Sequence, residues 1–204
     1  VHCAAAEVGQ GFVTLAQQVA RTELGVHDVA LLTADTLVGS AGSTSASRQT
    51  WLSGGAVQAA SAAVRQALFE RVAETRGVDP NDLALADGKV ISSDGQVQMT
   101  LVDAIGNSPL EETREYRHAP THRLDENGQG DAHVAWAFAA HRAVVDVDSE
   151  LGLVRVIQIA TGQDVGRVLN PLQATGQVEG GIAQGVGLAV MEELVFDDQG
   201  RVRN

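Results

Sequence analysis

Cysteine, lysine and aromatic residues are all scarce in this chain of 204 residues. The one cysteine, Cys3, excludes an internal disulfide, a cysteine-based zinc site and an iron–sulfur cluster held by this chain alone. Its flank, residues 1–7, is largely apolar and offers no positive partner, so Cys3 is expected as a small buried residue rather than a nucleophile. Lys89 is the one lysine among 14 basic residues; against 26 acidic side chains the net charge is −12. The arginines are scattered, and without a basic patch neither nucleic acid nor an anionic membrane surface is an expected partner. No apolar run approaches the ~18 residues of a membrane-spanning helix. A leading Met and a basic segment followed by an apolar stretch are both missing at Val1-His2-Cys3-Ala4. The expectation is an internal piece of a longer cytoplasmic chain without a signal peptide. Four Phe, two Trp and one Tyr stand against 22 Gly. The core must therefore come mainly from Val, Leu, Ile and Ala, with close backbone contacts at glycines.

The apolar pattern orders the rest. Residues 1–7 read as a buried strand ending at Gly9-Gln10-Gly11, and Phe12, Leu15, Ala16, Val19, Ala20 and Leu24 then recur at helical spacing up to Gly25. Residues 28–33 predict a second strand, and 34–49 a loop of small polar residues. A loop that long inside a compact pattern is usually functional. Residues 50–76 predict the longest helix, stopped by Gly77; Gly54-Gly55 near its start implies that something packs closely there. Asp87-Gly88 is a strong hairpin signal. Thr100 opens a short helix, and 112–118 alternates like an exposed strand within the irregular stretch 106–130. Residues 132–148 and 152–161 predict an antiparallel hairpin with one wet face. Residues 171–194 have helical period but carry Gly176, Gly180, Gly181, Gly185 and Gly187, which suits a helix lying against another backbone or a bulky ligand. With no repeat and no linker, the expectation is one α/β domain (α+β being the alternative), a mixed sheet with long helices.

Three elements could carry chemistry: Gly9-Gln10-Gly11, residues 43–47 and residues 177–187. Each begins or borders a helix, where backbone N–H groups suit phosphates and other anions. Gln10, Gln177 and Gln184 add neutral amides, Thr44, Ser45 and Ser47 add hydroxyls, and Arg48 is the one cation nearby. On pattern alone these residues fit either a ligand with phosphate or oxo groups or simple turns and tight helix contacts. Neither G-x-G-x-x-G nor a Walker A sequence is present, which disfavours the usual dinucleotide fold and an ATPase. The histidines form no H-x-x-x-H pair on a helix; His118 and His122 flank Pro120 in irregular chain and are not an expected metal site. Asp125-Glu126-Asn127 with Asp131 departs from a calcium loop and reads as a solvated turn. Ser47 lacks a G-x-S-x-G elbow and an evident histidine partner, and Glu192-Glu193 is expected to face solvent.

The order of these motifs resembles a known family. Gly9-Gln10-Gly11 precedes Gly42-Ser43-Thr44-Ser45-Ala46-Ser47-Arg48-Gln49-Thr50 and Gly54-Gly55-Ala56-Val57. Then come Asp164-Val165-Gly166-Arg167-Val168-Leu169-Asn170-Pro171 and the long pattern G-Q-x-E-G-x-x-x-Q-G-x-G starting at Gly176. Together they are similar to the second molybdenum-cofactor-binding domain of the xanthine dehydrogenase and aldehyde oxidase family, most of all to the molybdenum subunit of bacterial xanthine dehydrogenases. The likeness spans nearly all of residues 1–204, which would be one subdomain of the molybdopterin-binding region. It implies that Gly9, Gln10 and Gly11 form a turn contacting the cofactor, and that Thr44, Ser45, Ala46 and Ser47 run beside the pterin. It also implies that the Ala46 backbone lies near molybdenum and that the Gln184 amide approaches the cofactor.

The implied cofactor is a molybdenum-bearing molybdopterin, in some members a dinucleotide, with FAD and 2Fe–2S clusters on partner chains or domains and a dimer of assembled units. The implied reaction is hydroxylation of an electron-poor carbon on a heterocycle or aldehyde, here a purine, taking hypoxanthine or xanthine to urate. The family's base glutamate sits in a G-x-G-E-P-P motif, and these 204 residues contain none. No catalytic residue is therefore expected in this segment, and it should be inactive alone. An oxidoreductase for aldehydes or other N-heterocycles, and a non-catalytic binding or assembly module with the same fold, stand as alternatives.

Overall fold

The computed structural model describes residues 1–204, Thr33 through its backbone alone. The chain forms two compact units, Val1–Pro120 and Thr121–Asn204, although no linker composition marks the break.

In the first unit β1 (His2–Cys3) pairs in parallel with β2 (Leu32–Thr33), His2 opposite Leu32. Between them runs α1 (Phe12–Leu24). The strands expected over 1–7 and 28–33 shorten to two residues each, because each has only the other as a neighbour. The helix follows its sequence period: Phe12, Leu15, Ala16 and Ala20 are buried, and Gly25 ends it at φ 57°. That face packs with Ala5 and with Val57 of α2 (Leu52–Arg76), and Cys3 lies half-buried beside it. Burying a side chain such as Phe12 stabilises by about 1.5–3 kcal/mol.

Lower down, α2 sets Leu68, Phe69 and Val72 against a second cluster with Leu83, Val90 and Ala104. These come from the meander β3 (Leu83–Ala86), β4 (Lys89–Ser92) and β5 (Val97–Thr100) and from α3 (Leu101–Ile105). Asp87 (φ 47°) and Gly88 (φ 70°) both take left-handed backbone, so the hairpin forms where the dipeptide placed it. Thr100 caps α3 by accepting from the Asp103 N–H at 3.1 Å. The expected strand over 112–118 does not form. No strand lies beside it, and its charges pair locally, Arg114 with Glu112 at 2.7 Å and Arg117 with Glu115 at 2.8 Å.

In the second unit β6 (Phe138–Asp148) and β7 (Leu153–Asp164) form a long antiparallel hairpin, with a register shift at Val144/Val145. Pairing begins at Phe138 rather than at 132. The single wet face is also corrected: every residue of β6 is exposed, and β7 has only Val156, Ile159 and Thr161 half-buried. Two strands without a packing layer leave both faces open. The last helix, α4 (Pro171–Val190), starts at an Asn170 cap, whose Oδ1 accepts from the Gln173 N–H at 3.1 Å. It stops four residues short of 194 and buries no residue. Helices and sheets thus share the chain as a mixed α/β fold, with its parallel and antiparallel pairings in separate sheets. No described helix is long and apolar enough to cross a membrane.

Candidate functional site

Two loops of the first unit leave the carboxyl ends of its adjacent parallel strands. Residues 4–11 follow β1 into α1, and residues 34–51 follow β2 into α2. The Ala34 N–H donates to the Ala5 carbonyl at 3.3 Å, and Ala41 packs on the cluster around Ala5 and Phe12, so both loops start from the same edge. In α/β folds that edge is where ligands sit.

The first loop is built around a carboxylate. Gly11, the cap residue of α1, has no side chain to accept from the helix's opening amides. Glu7 does so instead. Its Oε1 accepts from Gly9 N–H at 2.8 Å and Gly11 N–H at 3.1 Å, and its Oε2 from Val13 N–H at 2.9 Å. Partial burial pushes the Glu7 carboxyl up, but the amides of Val13, Gly11, Gly9 and Phe12 together outweigh it and hold the group below the usual carboxylate range. Gln10 is turned back on its own loop: its Oε1 accepts from Val8 N–H at 2.7 Å and its Nε2 donates to the Ala6 carbonyl at 2.9 Å. The Gly9 and Gly11 amides, expected from the sequence to hold a ligand anion, are therefore already filled by Glu7. Sequence reading missed Glu7; the available signal was an acid two residues before a glycine turn that opens a helix.

The second loop presents its small residues to solvent, since residues 42–47 are all exposed. Ala46 (φ 56°) and Ser47 (φ 51°) hold consecutive left-handed backbone, a strained state for residues with a Cβ. Ser43 Oγ donates to Ser45 Oγ at 2.8 Å, and Arg48 Nε donates to the Ser43 carbonyl at 2.7 Å, so the nearby cation braces the loop. A Cβ on Gly42 would meet the Arg48 guanidinium at 2.9 Å. Beneath the loop Gln49 is buried; its Nε2 donates to Thr44 Oγ1 at 2.8 Å while its Oε1 has no partner. The sequence motif contains Gln49 but gives it no role.

Gln184 belongs to the second unit. It is exposed on α4, and Gln177, Gly180, Gly181 and Gly187 share its helix face by their spacing. Beyond the helix's own neighbouring backbone, nothing in the chain comes within 4 Å of where a Cβ would stand at Gly176, Gly180, Gly181 or Gly185. Among the described residues no three potential ligands gather for a metal ion. Asp125 folds into a local turn, accepting from Asn127 and Gln129 N–H groups at 2.9 and 2.8 Å. Glu192 and Glu193 are exposed, as expected. A shallow cleft of about 390 Å³ touches Arg21, His27 and Asp87, and another of about 340 Å³ touches Glu23, Arg65 and Phe69. Both lie toward the carboxyl end of α1, away from the two loops.

The family model described as molybdopterin cofactor-binding domain matches residues 1–204. The chain is 29% identical, over 98% of its length, to the 6-hydroxypseudooxynicotine dehydrogenase complex subunit gamma of Paenarthrobacter nicotinovorans, covering 26% of that protein. It is 32% identical, over 95% of its length, to the aldehyde oxidoreductase molybdenum-binding subunit PaoC of Escherichia coli strain K12, covering 25% of it. The solved quinoline 2-oxidoreductase of Pseudomonas putida 86 superposes with a TM-score of 0.74 at 25% identity, over 98% of this chain and 26% of that one. The chain thus spans about a quarter of the length of the curated relatives it matches.

Proposed function

Because the chain belongs to the molybdopterin cofactor-binding domain family, we propose that it supplies one wall of the cofactor site in a molybdenum hydroxylase. The observation that carries this is the pair of loops at the carboxyl edge of β1 and β2, one of them holding Ala46 and Ser47 in strained, exposed backbone. Strain of that kind collects where a ligand must meet the main chain.

The residues present fit a molybdopterin. A pterin ring offers N–H donors and carbonyl and nitrogen acceptors, and it is met best by neutral groups that do both. In the first unit the Thr44, Ser45 and Ser47 hydroxyls, the Ala46 main chain and the Gln10 amide are such groups; the second unit by itself offers the Gln184 amide. Exposed Ala46 has only a methyl, so its backbone can approach a bulky centre such as molybdenum. Arg48 donates to the Ser43 carbonyl, and residues 42–47 carry no charged side chain. When bound, the molybdenum cofactor supplies two-electron oxidation chemistry that hydroxylates an electron-poor carbon. This chain's part is to hold and orient it; no catalytic base is assigned among its residues.

The substrate class we propose is an N-heterocycle, with the purines hypoxanthine and xanthine singled out by the motif resemblance to bacterial xanthine dehydrogenases. The relatives' names, a nicotine derivative, an aldehyde and a quinoline, keep other N-heterocycles and aldehydes as the second reading. Partner chains or domains would carry FAD and 2Fe–2S clusters, in a cytoplasmic dimer of assembled units. The test is to purify the whole protein containing this segment from cells that make the cofactor. Molybdenum and pterin should be stoichiometric, and xanthine should be oxidised faster than an aldehyde or quinoline panel. A protein free of molybdenum would leave the non-catalytic module.

A further inference from the structure

Resting on the cofactor-wall reading above, we propose that Glu7 is a positioning residue for the Gly9-Gln10-Gly11 turn. It is a built-in anion that sets Gln10 in place and directs this turn to an uncharged part of the cofactor instead of a phosphate.

The geometry carries it. A helix N-terminus after a glycine cap leaves amides that attract an anion. Here the Gly11 and Val13 amides at the helix start, joined by the Gly9 amide of the preceding turn, converge on one carboxylate at 2.8–3.1 Å. Gly9 (φ 99°) and Gly11 (φ 86°) reach this arrangement through backbone that side chains resist. Gln10 stands between them, and both ends of its amide are held by Ala6 and Val8, the residues on either side of Glu7. Releasing the carboxylate frees the turn's amides and with them the frame of Gln10. A phosphate brought to the same amides would meet occupied donors and a like charge. What Gln10 itself still has available is one further N–H on Nε2 and one further lone pair on Oε1. Those are complementary to a pterin edge, which donates and accepts, and poorly matched to phosphate, which only accepts.

The experiment uses the assembled enzyme from cofactor-competent cells, as wild type, Glu7→Gln and Glu7→Gly. Two readouts are taken: molybdenum per protein after exhaustive dialysis, and hydrogen exchange of the amides in residues 9–13. Both substitutions should lower retained molybdenum by about tenfold, the scale set by losing charge-assisted hydrogen bonds. In Glu7→Gly the amides of residues 9–13 should exchange much faster. Formate, a carboxylate small enough for the vacated place, should keep them slow and preserve molybdenum when it is present throughout purification and dialysis. Wild-type retention in Glu7→Gly overturns the proposal. So does restored folding with formate but no recovery of molybdenum, because an anion alone would then stabilise a helix without positioning anything. Unchanged exchange at residues 9–13 overturns it whatever the metal content. A wild-type enzyme lacking molybdenum overturns the cofactor-wall reading instead, a result told apart by the exchange data.

Discussion

Trp51 donates its indole N–H to the Tyr116 hydroxyl at 2.9 Å, and the Tyr116 ring lies over Gly55, one turn further along α2. A Cβ on Gly55 would stand 2.9 Å from the ring's Cδ1, closer than such atoms approach. This explains Gly55 near the start of the longest helix, whereas a Cβ on Gly54 would meet only an ordinary contact with Leu15 at 3.5 Å. The contact also ties the chain after α3 to the segment that emerges from the Thr44–Gln49 link.

Gly55→Ala should therefore destabilise, although Gly→Ala inside a helix normally gains about 1 kcal/mol. The ring must move, and overpacking of this kind costs about 1–3 kcal/mol. Tyr116→Phe keeps the ring and loses only the hydrogen bond, whose donor and acceptor are both part-exposed; about 0.5–1 kcal/mol is expected. Urea unfolding of the two variants, followed by tryptophan fluorescence, checks the order. A Gly55→Ala protein as stable as wild type would show that the ring yields freely.

Much of this was legible beforehand, and for physical reasons. Phe12, Leu15, Ala16 and Ala20 bury one face of α1, as their spacing required. Asp87-Gly88 made its turn because that turn needs left-handed backbone at both positions. The close approach at Gly55 was foreseen as a contact without its partner, since Tyr116 lies sixty-one residues away in irregular chain and nothing local links the two. The candidate loops were found from glycine and serine composition, yet composition is blind to where a side chain turns. Glu7 looked like part of a strand, yet its carboxylate accepts the amides that open α1; Gln49 looked like loop and is buried beneath it. The exposed strand at 112–118 failed because alternation gives a face but not a neighbour to pair with.

Acid should report on Glu7. Its folded pKa is depressed below the ordinary 4.5, because the amide donors outweigh partial burial. A depressed carboxylate contributes stability that is fully present above its unfolded pKa and is lost as pH falls through the folded one. Wild type should thus lose stability on acidification below about pH 4.5, while Glu7→Gln should start lower and lose less. Asp94 and Asp197 are also held low, Asp94 first by the Ser92 hydroxyl and Asp197 first by the Arg201 amide, and both act in each protein alike. The difference between the two pH profiles isolates Glu7; parallel profiles would mean the clamp contributes nothing to folding.

Ala46 tests the second loop. Its φ of 56° is strained with any Cβ and worse with a branched one. Ala46→Val should push residues 44–47 out of their conformation while leaving both core clusters untouched, because Ala46 is exposed. The expected outcome is an unfolding free energy within about 0.5 kcal/mol of wild type, together with a marked loss of retained molybdenum in the assembled enzyme. Equal molybdenum in the two proteins would remove this loop from the cofactor wall.

The glycines of α4 provide the opposite case to Gly55. A methyl at Gly180 or Gly181 meets nothing within 4 Å in this chain, and neither glycine has a positive φ. By helix propensity alone Gly180→Ala with Gly181→Ala should stabilise α4, by about 1 kcal/mol for each. If another surface comes close to the face they share with Gln184, the proposed cofactor wall accounts for the wild-type glycines. In the assembled enzyme the double variant should then retain much less molybdenum, while α4 in the chain by itself gains helicity, measured by circular dichroism. Full molybdenum alongside raised helicity would show that the glycine face serves no contact, and Gln184 would lose its claim to the cofactor.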